Sequence, residues 1–105
     1  MKTIITFRHL EPTEALKDHV EEKMEKISKY VKSSIEAHVV LSTERYLHIA
    51  EIKLPLKGSM VHVTEKSEDM YQSIEGAIDK IQKNLKKIKE KRRTKKRATK
   101  STIPA

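Results

Sequence analysis

Residues 35–65 read IEAHVVLSTERYLHIAEIKLPLKGSMVHVTE, and the period of this stretch decides the fold. Ile35, Ala37, Val39 and Leu41 recur at every second position, so 35–43 reads as a strand with one apolar face. Residues 46–56 repeat the pattern with Ala50, Ile52, Leu54 and Leu56 on one side. Val61 and Val63 do the same for 60–65. Pro55 has no N–H and belongs at a strand end or on an edge. Lys57-Gly58-Ser59 reads as the turn of a hairpin.

Upstream, TIITFR at 3–8 is β-branched and aromatic, which predicts another strand with Thr3, Ile5 and Phe7 on one face. Pro12 breaks the chain and Thr13 is a helix N-cap with Glu14 in the first turn. Leu16, Val20, Met24, Ile27 and Val31 then recur at helical spacing, predicting a helix over 13–32 that Ser33-Ser34 ends. Downstream, Asp69 with Gln72 three residues on is a capping-box pattern. Met70, Ile74, Ala77, Ile78, Ile81, Leu85 and Ile88 form one apolar stripe to about residue 90, with Gly76 a weak point inside it.

The order is β-α-β-β-β-α. Each helix and the sheet have a single apolar face, so both helices must cover one side of a four-stranded sheet. The expected class is α+β, a two-layer sandwich. The first two strands should pair in parallel through a right-handed crossover. The other sheet face, with His38, Val40, Met60, His62 and Thr64, is left to solvent. The expected domain is 1–91. Residues 92–105 lose the apolar period and are expected to be a disordered basic tail.

The charge is concentrated. The chain has 105 residues and a net charge of +8. Residues 80–100, KIQKNLKKIKEKRRTKKRATK, hold twelve Lys or Arg against Glu90 alone, whereas residues 1–79 hold eleven basic and fourteen acidic residues. A solvated face normally mixes signs, because like charges at i,i+4 repel. A dense cationic helix suits a polyphosphate backbone. Lys80, Lys87 and Lys91 fall on one flank of the second helix, Lys83 outermost, Lys86 on the opposite shoulder and Lys89 nearer the core. On the first helix Lys23 and Lys26 share a flank beside Tyr30, and Glu22–Lys26 and Glu25–Lys29 are expected to pair along it.

Other chemistry finds no support. There is no Cys, hence no disulfide or thiolate metal site. His38 and His62 on the open sheet face lack partners at ligand spacing. No glycine-rich phosphate loop, HExxH or GxSxG occurs. No catalytic set, metal or cofactor is expected. The N-terminus is not a signal peptide, and no membrane span is expected. The four aromatics give no strand the stacking pair of an RNA-recognition motif, so helices rather than the sheet should bind a phosphate backbone.

EDMYQSIEGAIDKIQKNLKKIKEK at 68–91 closely resembles the DMYxAIDxxIDKLxxQLxKxK signature of the ribosome hibernation-promoting factors. These are also called ribosome-associated translation inhibitors or sigma-54 modulation proteins. ITFRHLEPTEALKDHVEEKMEKISKY at 5–30 is similar to the family's first strand and "TEAL" helix, and HVVLSTER and His62 also match. The resemblance covers residues 1 to about 92. It implies a fold like double-stranded-RNA-binding domains. It further implies binding to the small ribosomal subunit in the channel for messenger RNA and the A- and P-site transfer RNAs, with inhibition of translation in stationary phase or stress. Carried onto this chain, the RNA-binding residues are Lys23, Lys26, Lys80, Lys83, Lys86, Lys87, Lys89 and Lys91, extended to Arg92 and Arg93. The chain resembles a short form, so a cytoplasmic, non-enzymatic monomer is expected, with a separate ribosome modulation factor as a partner for joining ribosomes. The alternatives are a regulator docking a protein on the open sheet face, and a generic duplex-RNA binder.

Overall fold

The computed structural model describes residues 1–56 and 58–102, with side chains up to Lys89. Its elements are β1 (Lys2–Arg8), α1 (Glu14–Ser28), β2 (Glu36–Glu44), β3 (Leu47–Leu56), β4 (Ser59–Ser67) and α2 (Met70–Thr102). The sheet order is β1-β2-β3-β4. β1 pairs parallel with β2, and the other two pairs are antiparallel. α2 lies over β3 and β4, and α1 lies beside it toward β1. Both helices therefore share one sheet face, as the single apolar faces require.

The alternation read from the sequence is the observed core. Ala37, Val39, Leu41, Ala50, Ile52, Leu54, Val61 and Val63 are buried under Leu16, Val20, Met24 and Ile27 of α1 and Met70, Ile74, Ala77, Ile78, Ile81 and Leu85 of α2. Each fully buried Val, Leu, Ile or Met contributes on the order of 1.5–3 kcal/mol of transfer free energy. Ile5, Phe7, Val31, Ile35, Leu56 and Ile88 border this core, partly covered. Leu56 pairs with Ser59, so the β3–β4 turn is tight, and Gly58 takes φ 80 there. Pro55 pairs with Met60 of β4, while the β2 register stops at Lys53. Its missing N–H therefore costs no bond to β2.

Three local expectations change. α1 ends at Ser28, short of residue 32. Tyr30 N–H then bonds the Ile27 carbonyl at 2.9 Å and Val31 N–H the Ser28 carbonyl at 3.3 Å. These i→i−3 bonds tighten the chain into a turn, and Ser28 Oγ donates to the Glu25 carbonyl at 2.7 Å, competing with helix continuation. The capping box at α2 is half formed. Gln72 N–H donates to Asp69 Oδ2 at 3.3 Å, but Asp69 N–H goes to Ser67 Oγ. Finally, the backbone of α2 stays helical beyond residue 90 to Thr102. Lys, Arg, Glu and Ala are good helix formers, and no Gly or Pro interrupts them before Pro104. The side chains from Glu90 onward, those of Lys91, Arg92 and Arg93 among them, lie outside the described residues.

Thr13 caps α1 as expected, its Oγ1 accepting from Leu16 N–H at 3.2 Å. No described helix is long and apolar enough to cross a membrane.

Candidate nucleic-acid interface

Two contacts set the registry of the helix pair. The rings of His19 and Tyr71 meet edge to face at 4.8 Å. One turn further on each helix, Lys23 Nζ lies 3.5 Å from Glu75 Oε1. Equal steps in the same direction mean that α1 and α2 run side by side and parallel. Lys23 is thus half-buried between the helices, and its charge is met by a carboxylate. The expected pairs Glu22–Lys26 and Glu25–Lys29 do not form. Lys26 stays exposed, and the Lys29 ammonium sits 5.8 Å from the centre of the Tyr30 ring.

The opposite side of α2 faces β4. Lys80 Nζ donates to the Thr64 carbonyl at 3.1 Å and lies 3.4 Å from Glu65 Oε1. Glu65 reaches this position by crossing Gly76. A Cβ at residue 76 would stand 2.6 Å from Glu65 Oε2 and 2.8 Å from its Cγ. The glycine expected to weaken the helix therefore leaves room for the carboxylate that holds Lys80.

The remaining lysines divide around α2. With Ile74, Ile81 and Leu85 buried, Lys83 points straight away from the core. Lys86 is eleven residues past Glu75, about 20° from it around the helix, on the α1 side. Lys87 is seven past Lys80, again about 20° off, on the β4 side. Lys83, Lys86, Lys87 and Lys89 are all exposed. Among the described residues none of them, nor Lys26 or Lys29, has an ion-pair partner. Asp79, one turn before Lys83, is not engaged either.

Of the ten residues marked from the sequence, Lys26, Lys83, Lys86, Lys87 and Lys89 are thus exposed cations with no ion-pair partner among the described residues, with Lys89 nearer the core side of α2 than Lys83, Lys86 and Lys87. Lys23 and Lys80 share the region with their charge already paired. The side chains of Lys91, Arg92 and Arg93 lie outside the described residues. Lys29 was not in that set. Its adjacency to Lys26 on the outer face of α1 is the signal that marks it.

Ser73 anchors the start of α2. It is the one buried polar residue of the described core. Its Oγ donates to the His48 carbonyl at 2.7 Å and lies 2.6 Å from Ser67 Oγ. On the open sheet face, His38 Nε2 donates to Glu36 Oε1 at 3.0 Å and His62 Nε2 to Glu51 Oε2 at 2.6 Å. Those histidines carry their own separate acceptors and do not converge on one point.

The family model described as "Sigma 54 modulation protein / S30EA ribosomal protein" matches residues 3–93. A ribosome hibernation promoting factor of Salmonella typhimurium is 35% identical over 91 residues, covering 87% of this chain and 96% of that protein. The crystal structure of the Thermus thermophilus Protein Y N-terminal domain superposes with a TM-score of 0.76 at 34% identity, covering 84% of this chain and 99% of that one. A ribosomal subunit interface protein from Coxiella burnetii, 21% identical, shares the fold with a TM-score of 0.75 over 86% of this chain and 99% of that one.

Proposed function

This chain belongs to the Sigma 54 modulation protein / S30EA ribosomal protein family, and from that premise we propose that it is a ribosome hibernation factor. It binds the small ribosomal subunit in the channel for messenger RNA and the A- and P-site transfer RNAs, and inhibits translation in stationary phase or stress. The observation that carries the reading is the set of exposed lysines on α1 and α2 that have no ion-pair partner among the described residues: Lys26, Lys83, Lys86, Lys87 and Lys89. Cations already neutralised by the fold gain little from a phosphate, whereas uncompensated ones release counterions when they meet one. Lys91, Arg92 and Arg93 belong to the same proposed RNA-binding set. Lys23 and Lys80 contribute chiefly by holding the helices in place.

The mechanism is steric and electrostatic, not catalytic. A cationic ridge competes with the backbones of messenger and transfer RNA for one RNA-lined site. The ribosome-binding unit is residues 1–91, and the tail from 92 adds charge. The protein acts in the cytoplasm as a monomer, and a separate modulation factor would be needed to join ribosomes.

The test is sucrose-gradient co-sedimentation with purified ribosomes at low and moderate salt, with and without residues 92–105. Migration with the small subunit or with whole ribosomes, together with a block of translation in vitro, is the expected result. Protein that stays at the top of the gradient at every salt concentration overturns the proposal. Binding that survives high salt and nuclease would point instead to a protein docked on the open sheet face.

A further inference from the structure

The tip of the β2–β3 hairpin stands apart from the lysine surface. Glu44 pairs with Leu47, so Arg45 and Tyr46 form the whole turn. The first position of such a two-residue turn ordinarily holds Gly, Asn or Asp, because φ there is positive. Here it holds Arg45 at φ 59. A Cβ in the left-handed region crowds the following carbonyl oxygen, and the strain must be balanced elsewhere. Folding gives no reason for the arginine, since among the described residues its side chain makes no ion pair. Tyr46 beside it is 71% exposed, more than any other large hydrophobic described. An aromatic ring with no packing role and a cation in a glycine position therefore sit next to each other.

The surroundings are polar and partly cationic. Thr43 Oγ1 donates to the His9 carbonyl at 2.7 Å, which ties the root of the hairpin to the end of β1. His9 also has a positive φ, of 59. Arg8 is opposite Ser42 in the register. Arg8, His9, Arg45 and Tyr46 thus occupy one end of the sheet and are exposed, as are the nearby acids Glu11 and Glu44, neither of which pairs with an arginine. The Ser73–His48 bond sets this end against the first turn of α2. Lys83 to Lys89 begin ten residues later, about 15 Å and more along the helix.

We infer that the Arg45–Tyr46 tip is a second RNA contact, in which one unpaired base stacks on Tyr46 and Arg45 takes the adjoining phosphate. The inference rests on the ribosome reading above. An exposed aromatic face accepts any base without regard to sequence, and a guanidinium matches phosphate geometry in two parallel bonds. A protein hot spot would need an apolar surround to exclude water. Here the neighbours of Tyr46 are charged and exposed.

The experiment measures affinity for purified small ribosomal subunits for the wild type, Arg45→Gly, Tyr46→Ala and Tyr46→Phe, with Lys83, Lys86 and Lys87 all changed to Gln as a reference. Tyr46→Ala should weaken binding about tenfold, and Tyr46→Phe should bind like the wild type, since the ring and not the hydroxyl is used. Arg45→Gly should raise the thermal midpoint while also weakening binding, because it removes strain and contact together. Ultraviolet crosslinking followed by nuclease digestion should leave a nucleotide on the Tyr46 peptide. If Tyr46→Ala and Arg45→Gly bind like the wild type while the lysine triple variant does not, the tip is no contact and the ribosome reading stands. If Tyr46→Phe loses as much as Tyr46→Ala, or Tyr46 crosslinks to a ribosomal protein, base stacking is refuted. If the wild type does not bind, both readings fall together.

Discussion

Neutralising Lys83, Lys86 and Lys87 to Gln should flatten the salt dependence of ribosome binding by a calculable amount. Each phosphate contact adds about 0.7 to 0.9 to the magnitude of the slope of log affinity against log salt. Five lysines of the proposed RNA-binding set (Lys26, Lys83, Lys86, Lys87 and Lys89) are exposed and have no ion-pair partner among the described residues. Five contacts give a slope of about −3.5 to −4.5, before any contribution from Lys91 onward. Removing three of them should reduce its magnitude by about 2.1 to 2.7. The fold should survive, because all three side chains point to solvent. The informative comparison is Lys80→Gln, whose ammonium already meets Glu65 at 3.4 Å and the Thr64 carbonyl at 3.1 Å. Neutralising it should move the slope by clearly less than one contact. The assay is a titration of labelled protein with small subunits at several salt concentrations, with circular dichroism to check folding. If Lys80→Gln flattens the slope as much as Lys83→Gln, intramolecular pairing does not sort the lysines as argued. If the triple variant keeps the wild-type slope, α2 is not the binding surface.

Other perturbations probe the frame that carries this surface. Gly76→Ala gains about 1 kcal/mol of helix propensity but places a methyl 2.8 Å from Glu65 Cγ. It should be net destabilising in urea unfolding, and adding Glu65→Ala should recover stability beyond the sum of the single effects. Ser73→Ala leaves the His48 carbonyl without its buried donor and should cost about 1–3 kcal/mol by the same measurement. Ile52→Ala, at the centre of the sheet and 1% exposed, should cost about 2–5 kcal/mol through the cavity it leaves. Thr13→Ala removes the acceptor for Leu16 N–H and should cost about 1 kcal/mol.

The strands and the apolar stripes of both helices were legible because period 2 and period 3.6 are local signals. Each residue of the sheet core, from Ala37 to Val63, falls where alternation puts it. The end of α1 was not legible. Val31 continues the apolar stripe by spacing, yet it borders the core from a turn after the helix has closed at Ser28. A turn can set a side chain against the core as a helix can, so spacing alone does not distinguish them. The role of Gly76 was not legible for a related reason. Propensity prices it by its own backbone, whereas its role depends on Glu65, eleven residues away on another element.

The same division governs the candidate site. The sequence by itself determined that charge is massed on the second helix and that Lys83 opposes the core, because burial of Ile74, Ile81 and Leu85 sets the rotation of that helix. Only the tertiary structure decided which lysines remain available. Lys23 finds Glu75, fifty-two positions on, and Lys80 finds Glu65 across the helix–sheet boundary, while the neighbouring pairs that i,i+4 spacing suggested do not form. Charge pairing depends on distance through space, and at a few ångströms that distance is set by how α1, α2 and β4 pack. No pattern along the chain encodes it.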